Sequence, residues 1–99
     1  MKVLSKSEVT EILSVKSKNW QFDGNFIYRD FKFKTFVQAF SFMTAIALRA
    51  EKMNHHPDWN NVYNIVNIKL NTHDAGGITK LDFELAEIID TEFNKYQSV

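Results

Sequence analysis

The chain has 99 residues, which is enough for one hydrophobic core and too short for two, so we expect a single domain over residues 1–99. Hydrophobic residues make up 44% of the chain and cysteine is absent, which argues against disorder and excludes disulfides, thiolate metal sites and a nucleophilic thiol. Twelve Lys and Arg balance twelve Asp and Glu, so we expect no binding to nucleic acid or to a membrane surface. The sequence shows neither a signal-peptide segment nor an apolar run near the roughly 18 residues that span a bilayer, so we expect a cytoplasmic protein.

The first two elements are predicted to be a short helix and a β-hairpin. Ser5 and Glu8 have the spacing of a capping box, and apolar residues follow at helical spacing, which predicts a helix over about residues 6–15. Residues 20–22 alternate between apolar and polar, residues 26–33 are rich in aromatics, and the Asp-Gly-Asn between these segments suits a tight turn. This pattern is typical of two antiparallel strands.

A long apolar helix is predicted from Thr35 to about Asn54. One stripe at spacings of three and four is formed by Phe36, Phe40, Met43, Ala47 and Ala50, and it is widened by Val37, Phe42, Ile46 and Leu48. A helix that is apolar on more than one side is usually covered on a second side, and in so short a chain we favour another subunit, hence a homodimer or homotetramer. Pro57 cannot continue the helix, which should end at about Asn54 or His55.

The last third of the chain predicts a strand, a turn and a helix. Within residues 62–72 Val66, Ile68 and Leu70 alternate with polar residues, and His73 falls on the polar side. Residues 74–77 form a turn, and Thr79 opens a final helix. Its expected buried stripe consists of Leu81, Leu85, Ile88, Ile89, Phe93 and Tyr96. The order of elements favours an α+β fold, with a four-stranded mostly antiparallel sheet and three helices packed on one face.

All three histidines lie between positions 55 and 73, where elements end and functional groups are often placed. If the long helix persists, Glu51 and His55 stand at i and i+4, close enough for the carboxylate to orient the imidazole, and His56 points elsewhere. Because histidine donates and accepts protons near neutral pH, His55, His56 and His73 are candidates for general acid–base catalysis.

Other interpretations of these residues stay open. His55 and His56 suit a helix C-terminus, Glu51 suits a solvated helix face, and Asp82 stands three residues after Thr79 as a capping-box carboxylate, the role that we favour for it. Trp59 and Tyr63 fit the core or a strand pair as well as the wall of a pocket. Zinc ligation by Glu51, His55 and His73 is chemically acceptable, but the spacing of a His-x-x-x-His site is missing and we predict no metal.

The residues Glu51-x-x-x-His55-His56-Pro57, with Tyr63, His73 and Asp82 at the following intervals, resemble the signature of the pterin carbinolamine dehydratases. The resemblance extends to Phe31-x-Phe33-x-x-Phe36-x-x-Ala39-x-x-Phe42 and to Thr72-His73-x-x-x-Gly77-Ile78-Thr79, and it covers roughly residues 20–90. It implies removal of water from a 4a-hydroxytetrahydropterin to give the quinonoid dihydropterin, the step that regenerates the pterin after an aromatic amino acid hydroxylase has turned over. It implies no metal or organic cofactor.

The resemblance also implies roles for individual residues. His55 and His73 are similar to the family's acid–base pair, and His56 is similar to a histidine that binds the pterin and shares in the proton transfer. Pro57 would fix the loop between them, Glu51 and Asp82 would be supporting carboxylates, and Trp59 and Tyr63 would shape the pocket. Some members of the family act as dimerisation cofactors for a homeodomain transcription factor, so the alternative from another class is a non-catalytic binding module.

Overall fold

A computed structural model describes residues 1–97, and within this range the chain forms three α-helices, four β-strands and one 3₁₀ turn. In chain order the elements are α1 (Lys6–Val15), β1 (Gln21–Phe22), β2 (Ile27–Lys32), α2 (Phe36–Met53), β3 (Asp58–Val62), β4 (Ile65–Leu70), the 3₁₀ turn (His73–Ala75) and α3 (Lys80–Gln97). No helix within this range combines the length and the apolar character needed to cross a membrane. The predicted helices and hairpin are confirmed, with boundaries that differ by one or two residues.

The four strands form one sheet in the order β1-β2-β4-β3, and every neighbouring pair is antiparallel. Strand β4 is central and pairs with all six residues of β2 on one side and with β3 on the other. Its alternation is the predicted one, since Val66, Ile68 and Leu70 are buried and Lys69 is exposed. The α+β fold is therefore confirmed.

The helices cover the apolar face of this sheet. Buried residues of β2 and β4, including Ile27, Phe31 and Ile68, belong to the same hydrophobic cluster as buried residues of all three helices. Each buried side chain of this size typically contributes about 1.5 to 3 kcal/mol to folding. The cluster fixes the ends of α2, β4 and α3 relative to one another, and the candidate site lies at those ends.

Helix α2 meets the core with one side. Its buried residues are Ala39, Phe42, Ile46 and Ala50. Phe36 and Phe40, members of the predicted apolar stripe, are 48% and 56% exposed. Because the helix is apolar on more than one side, helical spacing alone does not indicate which side meets the sheet. Thr35 caps the helix as its hydroxyl accepts from the Gln38 backbone N–H.

The predicted capping box at the start of α1 is present. The Ser5 hydroxyl accepts from the Glu8 N–H at 3.2 Å, and the Glu8 carboxylate accepts from the Ser5 N–H at 2.8 Å. The Ser5 backbone N–H is the main cause of a lowered pKa of the Glu8 carboxyl. The helix start was therefore readable from two residues.

A half-buried carboxylate ties the hairpin to α3. Asp90 accepts from the Trp20 indole N–H at 2.9 Å and from the Arg29 guanidinium at 2.7 Å. Burial raises the pKa of the Asp90 carboxyl, and the Trp20 N–H and Arg29 act in the opposite direction. The Arg29 guanidinium also lies over the rings of Phe31 and Phe93, at 4.6 and 5.1 Å from their centroids.

We expect Asp90→Ala to lower the free energy of unfolding by about 2 to 3 kcal/mol, because it leaves a buried indole N–H and a largely buried guanidinium without their acceptor. Chemical denaturation of the variant and the wild type measures the difference. Glu87→Ala, at an exposed position of the same helix, is the matched control and should change stability by less than about 0.5 kcal/mol. Equal stability of Asp90→Ala and Glu87→Ala would show that this cluster does not hold the hairpin on α3.

Candidate active site

The site begins where α2 ends. Asn54 adopts the left-handed conformation, with φ 53° and ψ 41°, and its N–H donates to the carbonyl oxygens of Ala50 and Glu51. Asn tolerates this conformation better than most residues, and it is a common residue at helix C-termini. The reversal takes His55 off the helical path and buries it, leaving 7% of the residue exposed. We had expected His55 on the last helical turn, and it lies beyond the end of the helix.

The carboxylate of Glu51 pairs with His56 and not with His55. Its Oε1 lies 2.8 Å from His56 Nε2, and both side chains are more than half exposed. The predicted pair of Glu51 with His55 was wrong, because an i, i+4 pair requires the helix to continue through His55. Pro57 follows directly and leads into β3.

Asp82 is the buried partner of His55. Its Oδ1 lies 2.7 Å from His55 Nε2, while its Oδ2 accepts from the Thr79 backbone N–H and from the Thr72 hydroxyl, both at 2.9 Å. The residue is 0% exposed. The bond from the Thr79 N–H is the predicted capping contact at the start of α3, so Asp82 both caps the helix and holds the imidazole.

These contacts fix the hydrogen positions of His55. A carboxylate only accepts hydrogen bonds, so His55 donates through Nε2–H and the neutral imidazole carries its lone pair on Nδ1. Within residues 1–97, His55 Nδ1 has no hydrogen-bond partner, yet every fully buried side-chain nitrogen or oxygen has one. Nδ1 therefore retains access to solvent. It can accept a hydrogen bond there, while Asp82 holds the other ring nitrogen.

His73 opens the 3₁₀ turn that follows β4, and its side chain is exposed. It does not lie on the strand itself, since β4 ends at Leu70. The turn closes at Gly76, whose φ of 83° favours glycine. This conformation directs the chain back from the turn towards α3.

The N-terminal segment packs against the residues that follow this turn. The Leu4 N–H donates to the Ile78 carbonyl at 2.8 Å, and a Cβ added to Gly77 would come within 2.7 Å of a Val3 methyl carbon. Position 77 therefore has no room for a side chain unless Val3 moves. The segment helps to fix the turn that carries His73.

The three histidines share the lining of one open pocket of about 440 Å³. Its lining residues come from the N-terminus, the end of α2, the end of β4, the 3₁₀ turn and the start of α3: Met1, Asn54, His55, His56, Asn71, Thr72, His73, Asp74, Ala75 and Leu81. Asp82 contacts the pocket through His55, and Glu51 flanks it through His56. The structure thus brings together five of the predicted site residues.

Of the other predicted residues, Pro57 directly follows His56 without lining the pocket itself, and Trp59 and Tyr63 lie further along the chain. Trp59 is half-buried, pairs with Ile68 and packs against the core. Tyr63 is 64% exposed in the turn between β3 and β4, at the opposite end of β4 from His73. Neither is among the residues that line the pocket, and their role in a binding site stays a prediction.

No cluster of three or more His, Asp or Glu residues within 1–97 is arranged to hold a metal ion. Among the candidate ligands, His55 is paired with Asp82 through Nε2, and Glu51 is paired with His56.

A comparison with protein families matches residues 2–92 to the family model described as pterin 4 alpha carbinolamine dehydratase. The chain belongs to this family. The Glu51 to Asp82 signature lies entirely within the matched range.

Members of the pterin dehydratase family from Prochlorococcus and Mesorhizobium are similar to this chain. Two of them are named "putative pterin-4-alpha-carbinolamine dehydratase". The protein of Prochlorococcus marinus subsp. pastoris is 54% identical over 94% of this chain and 96% of its own length. The protein of Mesorhizobium japonicum is 51% identical over 91% of this chain and 93% of its own length. The crystal structure of a transcriptional coactivator/pterin dehydratase from Brucella melitensis superposes on this chain with a TM-score of 0.87. The two sequences are 44% identical, and the match covers 93% of this chain and 99% of the Brucella melitensis chain.

A more distant relative shares the fold alone. It is a pterin dehydratase-like protein identified as a RuBisCO assembly factor in the alpha-carboxysome, 23% identical, with a TM-score of 0.62 over 74% of this chain and 84% of its own. The fold of the pterin dehydratases therefore also occurs in a protein whose described role is assembly.

Sequence reasoning missed several residues of the site. Asn54, Asn71, Thr72 and Leu81 line the pocket, and Thr79 contacts Asp82 behind it. Asn54 could have been found as a left-handed helix terminator directly before His-His-Pro. Thr72 and Thr79 stood in the motif that resembles the pterin dehydratases, but threonine is too common in turns and caps for its chemistry alone to have marked it.

Proposed function

We propose that this protein removes water from a 4a-hydroxytetrahydropterin to give the quinonoid dihydropterin, by histidine general acid–base catalysis and without a metal or organic cofactor. The observation that carries the proposal is that one pocket is lined by two histidines in different environments. His55 is buried and held by Asp82 with Nδ1 free, whereas His73 is exposed on the turn beside it. Membership of the pterin dehydratase family supports the choice of substrate.

The proposed step needs one base and one acid. His55 Nδ1 takes the proton from ring N5, and the electrons of the N5–H bond form the C4a=N5 double bond. The C4a–O bond breaks, and its oxygen leaves as water after receiving a proton from His73. No oxidant or reductant is consumed. Exchange with solvent then returns the proton to His73 and removes it from His55.

The carboxylates have supporting roles in this proposal. Asp82 stabilises the imidazolium that forms on His55 and keeps the ring in the tautomer that exposes Nδ1. Glu51 orients His56 at the exposed rim, where His56 binds the pterin. Pro57 fixes the chain after the two histidines, and Trp59 and Tyr63 stay candidates for shaping the pterin site. The reaction would belong to pterin recycling in the cytoplasm.

The test is a spectrophotometric assay of 4a-hydroxytetrahydropterin decay with and without the protein. We expect clear acceleration over the spontaneous reaction, in proportion to protein concentration. We also expect the rate to be unchanged by prolonged chelation, because no step uses a metal. Loss of the rate on chelation, with recovery on addition of zinc, would favour a metal site instead.

A second candidate function is that of a binding module, and one specific feature favours it. Helix α2 presents an exposed apolar stripe that includes Val37, Phe40 and Leu48, which are 70%, 56% and 70% exposed. The Brucella melitensis relative is described as a transcriptional coactivator as well as a pterin dehydratase. A protein that forms complexes and leaves the spontaneous dehydration rate unchanged would decide for the binding module.

The same stripe supports self-association, as a homodimer or homotetramer. We expect Leu48→Glu and Phe40→Glu to reduce the molecular mass measured by sedimentation velocity, because each places a charge in an apolar contact. Val15→Glu is the matched control, since Val15 is 68% exposed on α1 and off the stripe. A wild-type protein that sediments as a monomer at all concentrations would contradict this prediction.

A further inference from the structure

Thr72 is a buried residue that contacts both halves of the candidate site. It directly precedes His73, and its side chain reaches the carboxylate that holds His55. Only 8% of the residue is exposed. The role inferred for Thr72 rests on the proposed dehydration, for which both histidines must be positioned.

The hydroxyl hydrogen bonds around Thr72 have a single direction. Thr72 Oγ1 lies 2.9 Å from Asp82 Oδ2 and 2.7 Å from Thr79 Oγ1. The carboxylate only accepts, so the Thr72 hydroxyl donates its one proton to Asp82. The Thr79 hydroxyl must then donate to Thr72, and its own oxygen accepts from the Leu81 N–H at 3.3 Å. Asp82 is thereby left with Oδ1 for His55.

The backbone of Thr72 closes the turn that carries His73. Its N–H donates to the Gly77 carbonyl at 2.9 Å, and its carbonyl accepts from the N–H groups of Ala75 and Gly76, both at 3.0 Å. A shift of Thr72 would therefore move the whole turn. The same residue is tied to Asp82 through its side chain and to His73 through its main chain.

We infer that Thr72 is a positioning residue, which sets the place of His73 relative to His55 through the continuous path His55–Asp82–Thr72–His73. The proposed reaction needs both imidazoles on one substrate at once, and a displacement near 1 Å of a catalytic group can cost on the order of a hundredfold in rate. Thr79 also contacts Asp82 through its backbone N–H, but its hydroxyl bonds only to Thr72 and the Leu81 N–H, so that hydroxyl orients Thr72 and is not proposed to position a ring.

The experiment compares Thr72→Val, which keeps the shape and removes the hydroxyl, with Thr72→Ser, which keeps the hydroxyl. We expect Thr72→Val to lower kcat about tenfold or more with KM changed less than about twofold, and Thr72→Ser to stay within about threefold of the wild type. Ile89→Val removes a buried methyl group from α3, outside the pocket lining, and controls for lost stability. Wild-type kcat in Thr72→Val, or equal impairment of Thr72→Ser, would overturn the inference.

A second readout separates this inference from the proposed function. The imidazole Nε2–H proton of His55 should be observable by NMR in the wild type and in Thr72→Ser, because it is held by a buried carboxylate. In Thr72→Val, with the fold intact, it should exchange with solvent at least about tenfold faster. If the wild-type protein does not accelerate dehydration, the proposed function fails. An unchanged exchange rate in Thr72→Val then overturns the positioning role, and faster exchange supports it.

Discussion

Replacement of His73 or His55 by alanine is expected to lower the rate of 4a-hydroxytetrahydropterin dehydration by at least about tenfold, because each imidazole carries one of the two proton transfers and a positioned acid or base typically contributes 10² to 10⁴ in rate. The two variants should differ in stability. His73 is exposed, so its loss should leave the free energy of unfolding nearly unchanged. Loss of His55 removes a donor from a fully buried carboxylate and should cost about 1 to 3 kcal/mol.

Rates per folded molecule and denaturation curves measure these two effects separately. The circular dichroism spectrum of both variants should match that of the wild type under assay conditions, so that a lower rate reports on chemistry. Lys52→Ala, at an exposed position in the last turn of α2, is the surface control and should retain the wild-type rate. Wild-type rates in both histidine variants would remove the basis for acid–base catalysis by this pair.

The second large effect is expected at Asp82, where Asp82→Asn should abolish most of the activity while the fold persists. Two donors, the Thr79 N–H and the Thr72 hydroxyl, converge on Oδ2, so the amide oxygen of Asn should take that position and its NH₂ should face His55. His55 Nε2 would then have to accept, and the neutral ring would carry its proton on Nδ1. The proposed base would present a proton to the substrate instead of a lone pair, and we expect a loss on the order of a hundredfold.

Nitrogen NMR of the histidine rings measures the tautomer directly, alongside the dehydration rate. Asp90→Asn is the matched control, because it makes the same chemical change on the same helix at a carboxylate outside the pocket, and it should keep the wild-type rate per folded molecule. Asp82→Ala should in addition be destabilised by about 3 kcal/mol or more, since it leaves three buried donors unpaired. An active Asp82→Asn whose His55 keeps the Nε2–H tautomer would contradict the assigned role of Asp82.

Local spacing in the sequence predicted the elements well. The capping box of Ser5 and Glu8, the Asp-Gly-Asn turn and the alternation of β4 each depend on residues within a few positions of one another, and each is confirmed. The α+β arrangement followed from the order of these elements. Helical spacing did not distinguish the exposed Phe36 and Phe40 of α2 from its buried residues, because the identity of the core side depends on what packs against the helix and not on its own period.

The partners of the histidines could be predicted only in part. Glu51 was assigned to His55 by helical spacing, but a single left-handed residue, Asn54, moves that pair by one position to His56. The true partner of His55 is Asp82, 27 residues further along the chain, and no local pattern relates these two positions. Asp82 was correctly predicted as a helix cap, and its second oxygen supplies the role that spacing did not reveal.

The most direct test of the central claim is the dehydration rate of 4a-hydroxytetrahydropterin measured side by side for the wild type, the double variant His55→Ala/His73→Ala and buffer alone. We predict that the wild type accelerates the reaction strongly and that the folded double variant decays at the rate of buffer. A wild-type rate equal to the spontaneous one, or a double variant as fast as the wild type, would contradict it.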